Sequence, residues 1–190
     1  MDDALFPVRH AHRTEAAQFI RDTFRDSYGA RLGRLMPLLL ARQDRQGNII
    51  GACGLRRASR QRLFLECYLD APVQQLLMTR SGEYAVRAGI VEVGNLALRA
   101  PYSARALIAD LTRYLACTGC EWAVFTAVPS LRNAFRRLDI PCFHLGEASL
   151  AHLPPAARTD WGNYYDCGPQ VLAVRVSAAM SALRAVRAAA

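Results

Sequence analysis

The stretch VEVGNLALRAP, residues 91 to 101, constrains the fold more than any other. It sets Glu92 and Asn95 inside a run suited to burial, then passes through Arg99 and Pro101 into helical sequence. A buried charge without a partner costs several kcal/mol. The stretch is therefore paired, or solvated in a cleft, or chemically employed. Regular alternation puts Ile90, Glu92, Gly94 and Leu96 on one face and Val91, Val93, Asn95 and Ala97 on the other. Glycine inside a strand often marks a bulge, and one extra residue there would reverse the parity and bring Asn95 round to the Glu92 side. Such a bulge would also splay the strand from its neighbour and open a cleft. The competing reading is a glycine kept for packing.

The flanking sequence supplies the partners for such a strand. Thr14 and Glu15 begin a helical pattern through Ala17, Ile20, Phe24 and Tyr28 that Gly29 stops. PLLLARQDRQGNIIGACGLRRA reads as a hairpin turning at Asp44 to Asn48. RLFLECYL reads as a further strand, with Leu63, Leu65, Cys67 and Leu69 on one face and Phe64, Glu66 and Tyr68 on the other. Asp70 and Pro72 open a short helix through Met78. Beyond the strand at 90 to 98, Ala104 to Cys117 has helical spacing that Gly119 breaks. EWAVFTAV is a strand, PSLRNAFRRLDI a short helix, and PCFHLG and VLAVRVS are strands. This order predicts an α/β fold, a mixed α+β sheet flanked by helices. No repeat or linker divides the chain, so residues 1 to 176 read as one domain and 177 to 190 as a helical tail.

Net charge +8, with every basic residue counted in it an arginine, suits phosphates or an acidic protein partner. The arginines are scattered, and no zinc-finger spacing or RNA-binding aromatic motif accompanies them, which argues against nucleic acid. No stretch approaches the roughly 18 apolar residues of a spanning helix, and the amino terminus lacks the plan of a secretory signal, so a cytoplasmic protein is expected. The cysteines sit mostly in apolar contexts as reduced thiols. CTGC at 117 to 120 appears where a helix closes, which favours a structural turn over a redox centre. His10, His12, His144 and His152 lack metal-ligand spacing, and no G-x-S-x-G elbow occurs, so neither a metal nor a serine nucleophile is expected.

Other residues offer chemistry. Glu66 beside Phe64 and Tyr68 would lose hydration, and a raised pKa would suit a general base; the alternative is a glutamate paired with arginine. The turn LRAPYSARAL leads from strand to helix, where free backbone N–H groups, with Arg99 and Arg105, would form an anion site. DWGNYYDCG clusters Trp161, Tyr164 and Tyr165 in a loop; a tyrosine hydroxyl there can protonate a leaving thiolate, or the rings can simply anchor the loop.

Taken in order, YGARLGRLMPLLLA, LFLECYLDAP, VEVGNLA, SLRNAFRRLDIP and WGNYYD make the chain, over about residues 25 to 175, resemble the thermostable hemolysin family. That family looks like a branch of the GCN5-related N-acyltransferase superfamily, and its front half resembles acyl-homoserine-lactone synthases. The resemblance implies a central bulged, splayed sheet and a loop that holds the pyrophosphate of coenzyme A or of a carrier protein's phosphopantetheine arm. It makes Ile90 to Leu98 the bulged strand, Arg99 to Arg105 the pyrophosphate loop, and Asn133 with Phe135 the helix beside the thioester. The superfamily pattern R/Q-x-x-G-x-G/A falls on Arg99 to Ala104 with Tyr102 where glycine is expected, a departure that implies a different loop path or a carrier-protein donor making fewer contacts to the nucleotide end.

The leading functional expectation is an N-acyltransferase moving an acyl group from acyl-coenzyme A or an acidic acyl carrier protein to an amine. Glu92 or Glu66 would be the base, Asn95 and the backbone of Leu96 and Ala97 the oxyanion donors, and Tyr164 or Tyr165 the acid. Leu96, Ala97, Leu98, Arg99, Ser103, Ala104, Arg105, Asn133 and Phe135 would hold the cofactor arm, and Phe64, Tyr68, Gly94 and Trp161 the substrate. The alternatives are a binding protein of the same fold without catalysis, or a membrane-lytic protein whose tail, with Met180, Leu183 and Val186 opposite Arg184 and Arg187, touches a bilayer peripherally.

Overall fold

The computed structural model describes residues 5–8, 12–100 and 102–188, so the expectations on His10, Pro101 and the last two residues, and on the side chain of Arg187, lie outside the described residues. Seven strands form one sheet: β1 (Phe6–Pro7), β2 (Leu38–Gln43), β3 (Ile49–Arg57), β4 (Ile90–Leu98), β5 (Trp122–Ala127), β6 (Phe143–Glu147) and β7 (Gln170–Arg175), in the spatial order β1-β2-β3-β4-β5-β7-β6. All neighbours are antiparallel except β4 and β5. A parallel pair needs a crossover. Helix α3 (Ala104–Cys117) supplies it, capped by Ser103, whose Oγ accepts from the Ala106 N–H at 3.2 Å.

One face of the sheet carries α3, α4 (Pro129–Arg137) and α6 (Val176–Ala188), packed on Leu40, Leu55, Val91, Val93 and Phe125. The other carries α1 (Arg13–Tyr28), α2 (Val73–Ser81) and the connection between β6 and β7, which contains the short α5 (Pro155–Arg158). Helix α1 ends where Gly29 takes φ 67 and donates to the Arg25 carbonyl at 2.8 Å. The β2–β3 turn closes as expected, with Asp44 Oδ1 accepting from the N–H groups of Gln46 and Asn48. CTGC does close α3, with Gly119 at φ 70, and all six cysteines are free. The tail is a packed helix rather than an appendage, since Val176 and Ala179 are buried in the core beside α3.

The strand expected at 62 to 69 is absent. Residues Leu65–Tyr68 form a 3-10 turn instead, and Phe64 already has helical φ and ψ. The alternating apolar pattern there fits a strand locally, yet two carboxylates draw the backbone N–H groups of Leu63, Phe64 and Leu65 inward and leave no ladder partner for them.

Candidate functional site

The ladder between β3 and β4 is broken at the predicted place. Ala52 pairs with Ala97 and Gly54 with Gly94, so β4 takes three steps where β3 takes two. The extra residue swaps the faces: Glu92 and Gly94 look to the α1 side, while Leu96 and Leu98 pack on the α3 side with Val91 and Val93. The kink itself falls one residue beyond the glycine. Asn95 holds φ 53, a left-handed conformation that asparagine tolerates better than most side chains. Its Oδ1 accepts from the Met36 N–H at 2.9 Å. Gly94 is a packing glycine, because a Cβ there would lie 2.6 Å from Met36 Cε, and its ladder partner Gly54 leaves the same room for Met36 Cβ.

On the far side, β4 pairs with β5 only from Ile90↔Trp122 to Val93↔Phe125. Past that point the two strands part, while β5 continues against β7. The gap runs through the sheet. A cavity of about 170 Å³ has Phe24 and Tyr28 of α1 on one side, Leu107 of α3 and Leu131 of α4 on the other, and Asn95, Leu96 and Leu98 along its β4 edge. The Arg99 N–H turns toward β3, donating to the Ile50 carbonyl at 2.9 Å, so strand alternation directs those of Leu98 and Leu96 into the gap.

A second cavity, of about 80 Å³, adjoins it at Gly94, Asn95, Thr126 and Tyr164 and reaches Glu92. Glu92 is 2% exposed, and its two oxygens accept from the N–H groups of Phe64 and Leu65, both at 2.8 Å. Arg56, opposite it in the β3–β4 register, stands 3.7 Å from Oε2. Burial outweighs these favourable contacts and holds the Glu92 carboxyl above its ordinary value.

Glu66 belongs to a different wall. It lies in the 3-10 turn, where its carboxylate accepts from the N–H groups of Leu63 and Val73 and from Arg87 Nη1 at 2.7 Å and Nη2 at 3.1 Å. Burial raises its pKa, but Arg87 and the two N–H groups more than offset this, so the net shift is downward, opposite to the shift expected of a base. It lines neither cavity at the β4 bulge.

The loop after β4 resolves the misplaced Tyr102. Its ring turns under β3 beside Gly51, where a Cβ would lie 2.4 Å from the ring, and its hydroxyl donates to Asp110 Oδ2 at 2.8 Å. The side chain is thus absent from the outer surface of the loop. Arg42 stacks on that ring and pairs with the same Asp110. Arg99 lies over the Phe19 ring, Arg105 is exposed, and Ser103 caps α3.

Several expected cofactor contacts face elsewhere. Ala97 is buried against the α1 cluster, on the side of the sheet opposite Leu96. Phe135 stacks on Phe125 at 4.9 Å in the core, and Asn133 is exposed outside both cavities, because the turn of α4 that meets the gap is Ser130 and Leu131.

Among the aromatics, Tyr164 lines both cavities and donates to Thr126 Oγ1 at 3.3 Å; burial pushes its hydroxyl up to about 12. Tyr165 lies one layer back, bonded to the Tyr68 hydroxyl at 2.5 Å. Trp161 stacks on Phe64 at 6.0 Å, and both rings, with Tyr68, wall the smaller cavity. Sequence reading missed Arg34, Arg56, Met36 and Thr126, all of which line it. Arg56 becomes visible only through the register with Glu92, which depends on where the bulge falls.

This chain belongs to the thermostable hemolysin family, whose model matches residues 6–180. No sequence match was found among curated proteins. Among solved structures, it is similar to FeeM, an N-acyl amino acid synthase from uncultured soil microbes, at TM-score 0.62 and 15% identity over 93% of this chain and 92% of that one. It is also similar to MesI, a CoA-dependent acyl-homoserine lactone synthase, at TM-score 0.55 and 16% identity over 96% and 94%. A GNAT-family acetyltransferase from Staphylococcus aureus Mu50 aligns at TM-score 0.50 and 10% identity over 90% and 98%. The fold is therefore that of the GNAT-like acyltransferases.

Proposed function

We propose that this protein is an N-acyltransferase that takes an acyl group from a thioester on coenzyme A or an acyl carrier protein and gives it to an amine. The observation that supports this best is the gap through the sheet, which joins a strand edge with unpaired N–H groups to a cavity holding a buried carboxylate. The thioester arm lies along β4 in the larger cavity, its amide groups meeting the N–H groups of Leu96 and Leu98, with its phosphates toward Arg99, Ser103, Ala104 and Arg105. The N-terminal end of α3 favours negative charge there.

Glu92, with its raised pKa, takes a proton from the acceptor ammonium and passes it to solvent. The neutral amine attacks the thioester carbonyl, forming the C–N bond. With Oδ1 engaged by Met36, the amide nitrogen of Asn95 is left to meet the oxyanion, together with the strand N–H groups. As the C–S bond breaks, nitrogen loses its second proton and the thiolate receives one from Tyr164, which the released proton restores. The balance is one amide, one thiol and one proton. FeeM is an N-acyl amino acid synthase and MesI a CoA-dependent acyl-homoserine lactone synthase, which suits this reading.

The test is incubation with acyl-coenzyme A and acyl carrier protein donors against an amine panel, following free thiol and product mass. Acceptor-dependent thiol release is expected. Donor binding without release over the whole panel would leave a binding protein of this fold. Among the described residues, no helix is long and apolar enough to cross a membrane. Liposome leakage at modest protein concentration is not expected.

A further inference from the structure

Arg56 is left with work undone. Its side chain is 16% exposed, its Nε is buried with no partner, and its nearest acid, Glu92, stands 3.7 Å away while spending both oxygens on backbone N–H groups. Among the described residues the Arg56 guanidinium makes no hydrogen bond, although it has five N–H donors in a planar fork. A desolvated arginine without such bonds is costly to keep, and the fork matches the two oxygens of a carboxylate. It faces the cavity that also contains Glu92, and exposed Arg34 lines the same space.

We infer that this cavity binds an amine acceptor carrying a carboxylate next to its nitrogen, an α-amino acid, with the carboxylate on Arg56 and the ammonium toward Glu92. Opposite charges 3.7 Å apart suit the short span between the two ends of a zwitterion. A plain amine would leave Arg56 unsatisfied, and a diacid would set a second negative charge against Glu92. About 80 Å³ admits the zwitterionic head, so the acceptor's side chain extends beneath Phe64 and Trp161, where apolar or aromatic groups are favoured. The inference rests on the acyltransferase reading for its meaning but is tested separately from it.

The probes are L-phenylalanine, its methyl ester and phenethylamine, which share a ring and differ at the carboxylate. Binding to the full chain by calorimetry needs no donor or turnover. Phenylalanine is expected to bind at least about 30-fold more tightly than the other two, the scale of one charge-assisted pair. Arg56→Gln is expected to bring the three within about threefold, and Arg56→Lys, which keeps the charge and guards against a folding artefact, to recover part of the preference. Circular dichroism and melting check that both variants fold. Equal binding of the three probes to the wild type, or an unaltered preference in Arg56→Gln, would overturn the inference. Selective binding without thiol release from any donor would sustain the site and sink the transferase reading alone.

Discussion

Glu66 and Glu92 are built from the same parts, yet their carboxyl pKa values shift in opposite directions. Each is buried, each accepts from two backbone N–H groups, and each has an arginine near it. Arg87 closes on Glu66 with two bonds of 2.7 and 3.1 Å, and the carboxyl pKa falls. Arg56 stops 3.7 Å short of Glu92, and burial wins, so that carboxyl rises. About one ångström of separation between charged groups divides a satisfied clamp from a pair with capacity left for a ligand.

The sharpest way to break this contrast is Glu92→Gln. If Glu92 is the base, turnover falls about 100-fold or more, within the usual range for general-base removal. Its amide would also turn an N–H₂ toward one of the backbone N–H groups that the carboxylate now satisfies, so a stability loss of about 1–3 kcal/mol accompanies it. Steady-state kinetics and urea unfolding on the same preparation separate the effects, and unchanged turnover would remove Glu92 from the chemistry. The wild-type rate is expected to climb as Glu92 ionises, with the acidic limb above the ordinary carboxyl value of 4.5.

Glu66→Gln is expected to act on stability first, by about 3 kcal/mol, the lower end for breaking a buried pair because Arg87 retains some access to water. The sign with pH follows from the lowered pKa. The contribution of Glu66 is present above the unfolded value near 4.5 and is lost as pH falls through the lower folded value, so the wild type loses more stability than the variant on acidification below 4.5. Glu92 has the reverse sign: its raised carboxyl favours the fold fully below 4.5, and that favour disappears as pH rises through the folded value. Urea midpoints from pH 3 to pH 7, to about 0.1 M, would detect both trends. The smallest expected effect is at the bulge. Asn95→Ala combines left-handed strain with the lost Met36 bond, about 2 kcal/mol together, while Asn95→Gly relieves the strain and costs about half as much.

Much of this architecture was readable in advance. The hairpin, α1, α3 and the interrupted β4 announce themselves through spacing, glycine stops and a carboxylate in an apolar run. The site was half readable. Glu92, Asn95, Gly94, Leu96, Leu98, Phe64, Trp161 and Tyr164 do meet around one opening. The failures share one cause, which is that long-range partners decided what local pattern could not. LFLECYL alternates like a strand, but Glu92, some 27 residues away, captures its N–H groups. Glu66 took the arginine-paired alternative, and its partner Arg87 lies 21 residues away, out of reach of the local pattern. Phe135 and Asn133 depended on the rotation of α4 about its axis, which a nine-residue helix leaves open in sequence.

The face swap at Asn95 makes chain length, more than side-chain identity, the guarded quantity in β4. Removing one residue between Gly94 and Ala97 would let the strand zip evenly against β3 with Ala97 still opposite Ala52 and Leu98 opposite Gly51, so the kink would go while the side chains beyond it kept their faces. Keeping the residue but losing the bulge would instead turn Leu96 and Leu98 toward α1 and set Ala97 on the α3 side. The extra residue is therefore what holds the kink, and a one-codon deletion there would straighten it.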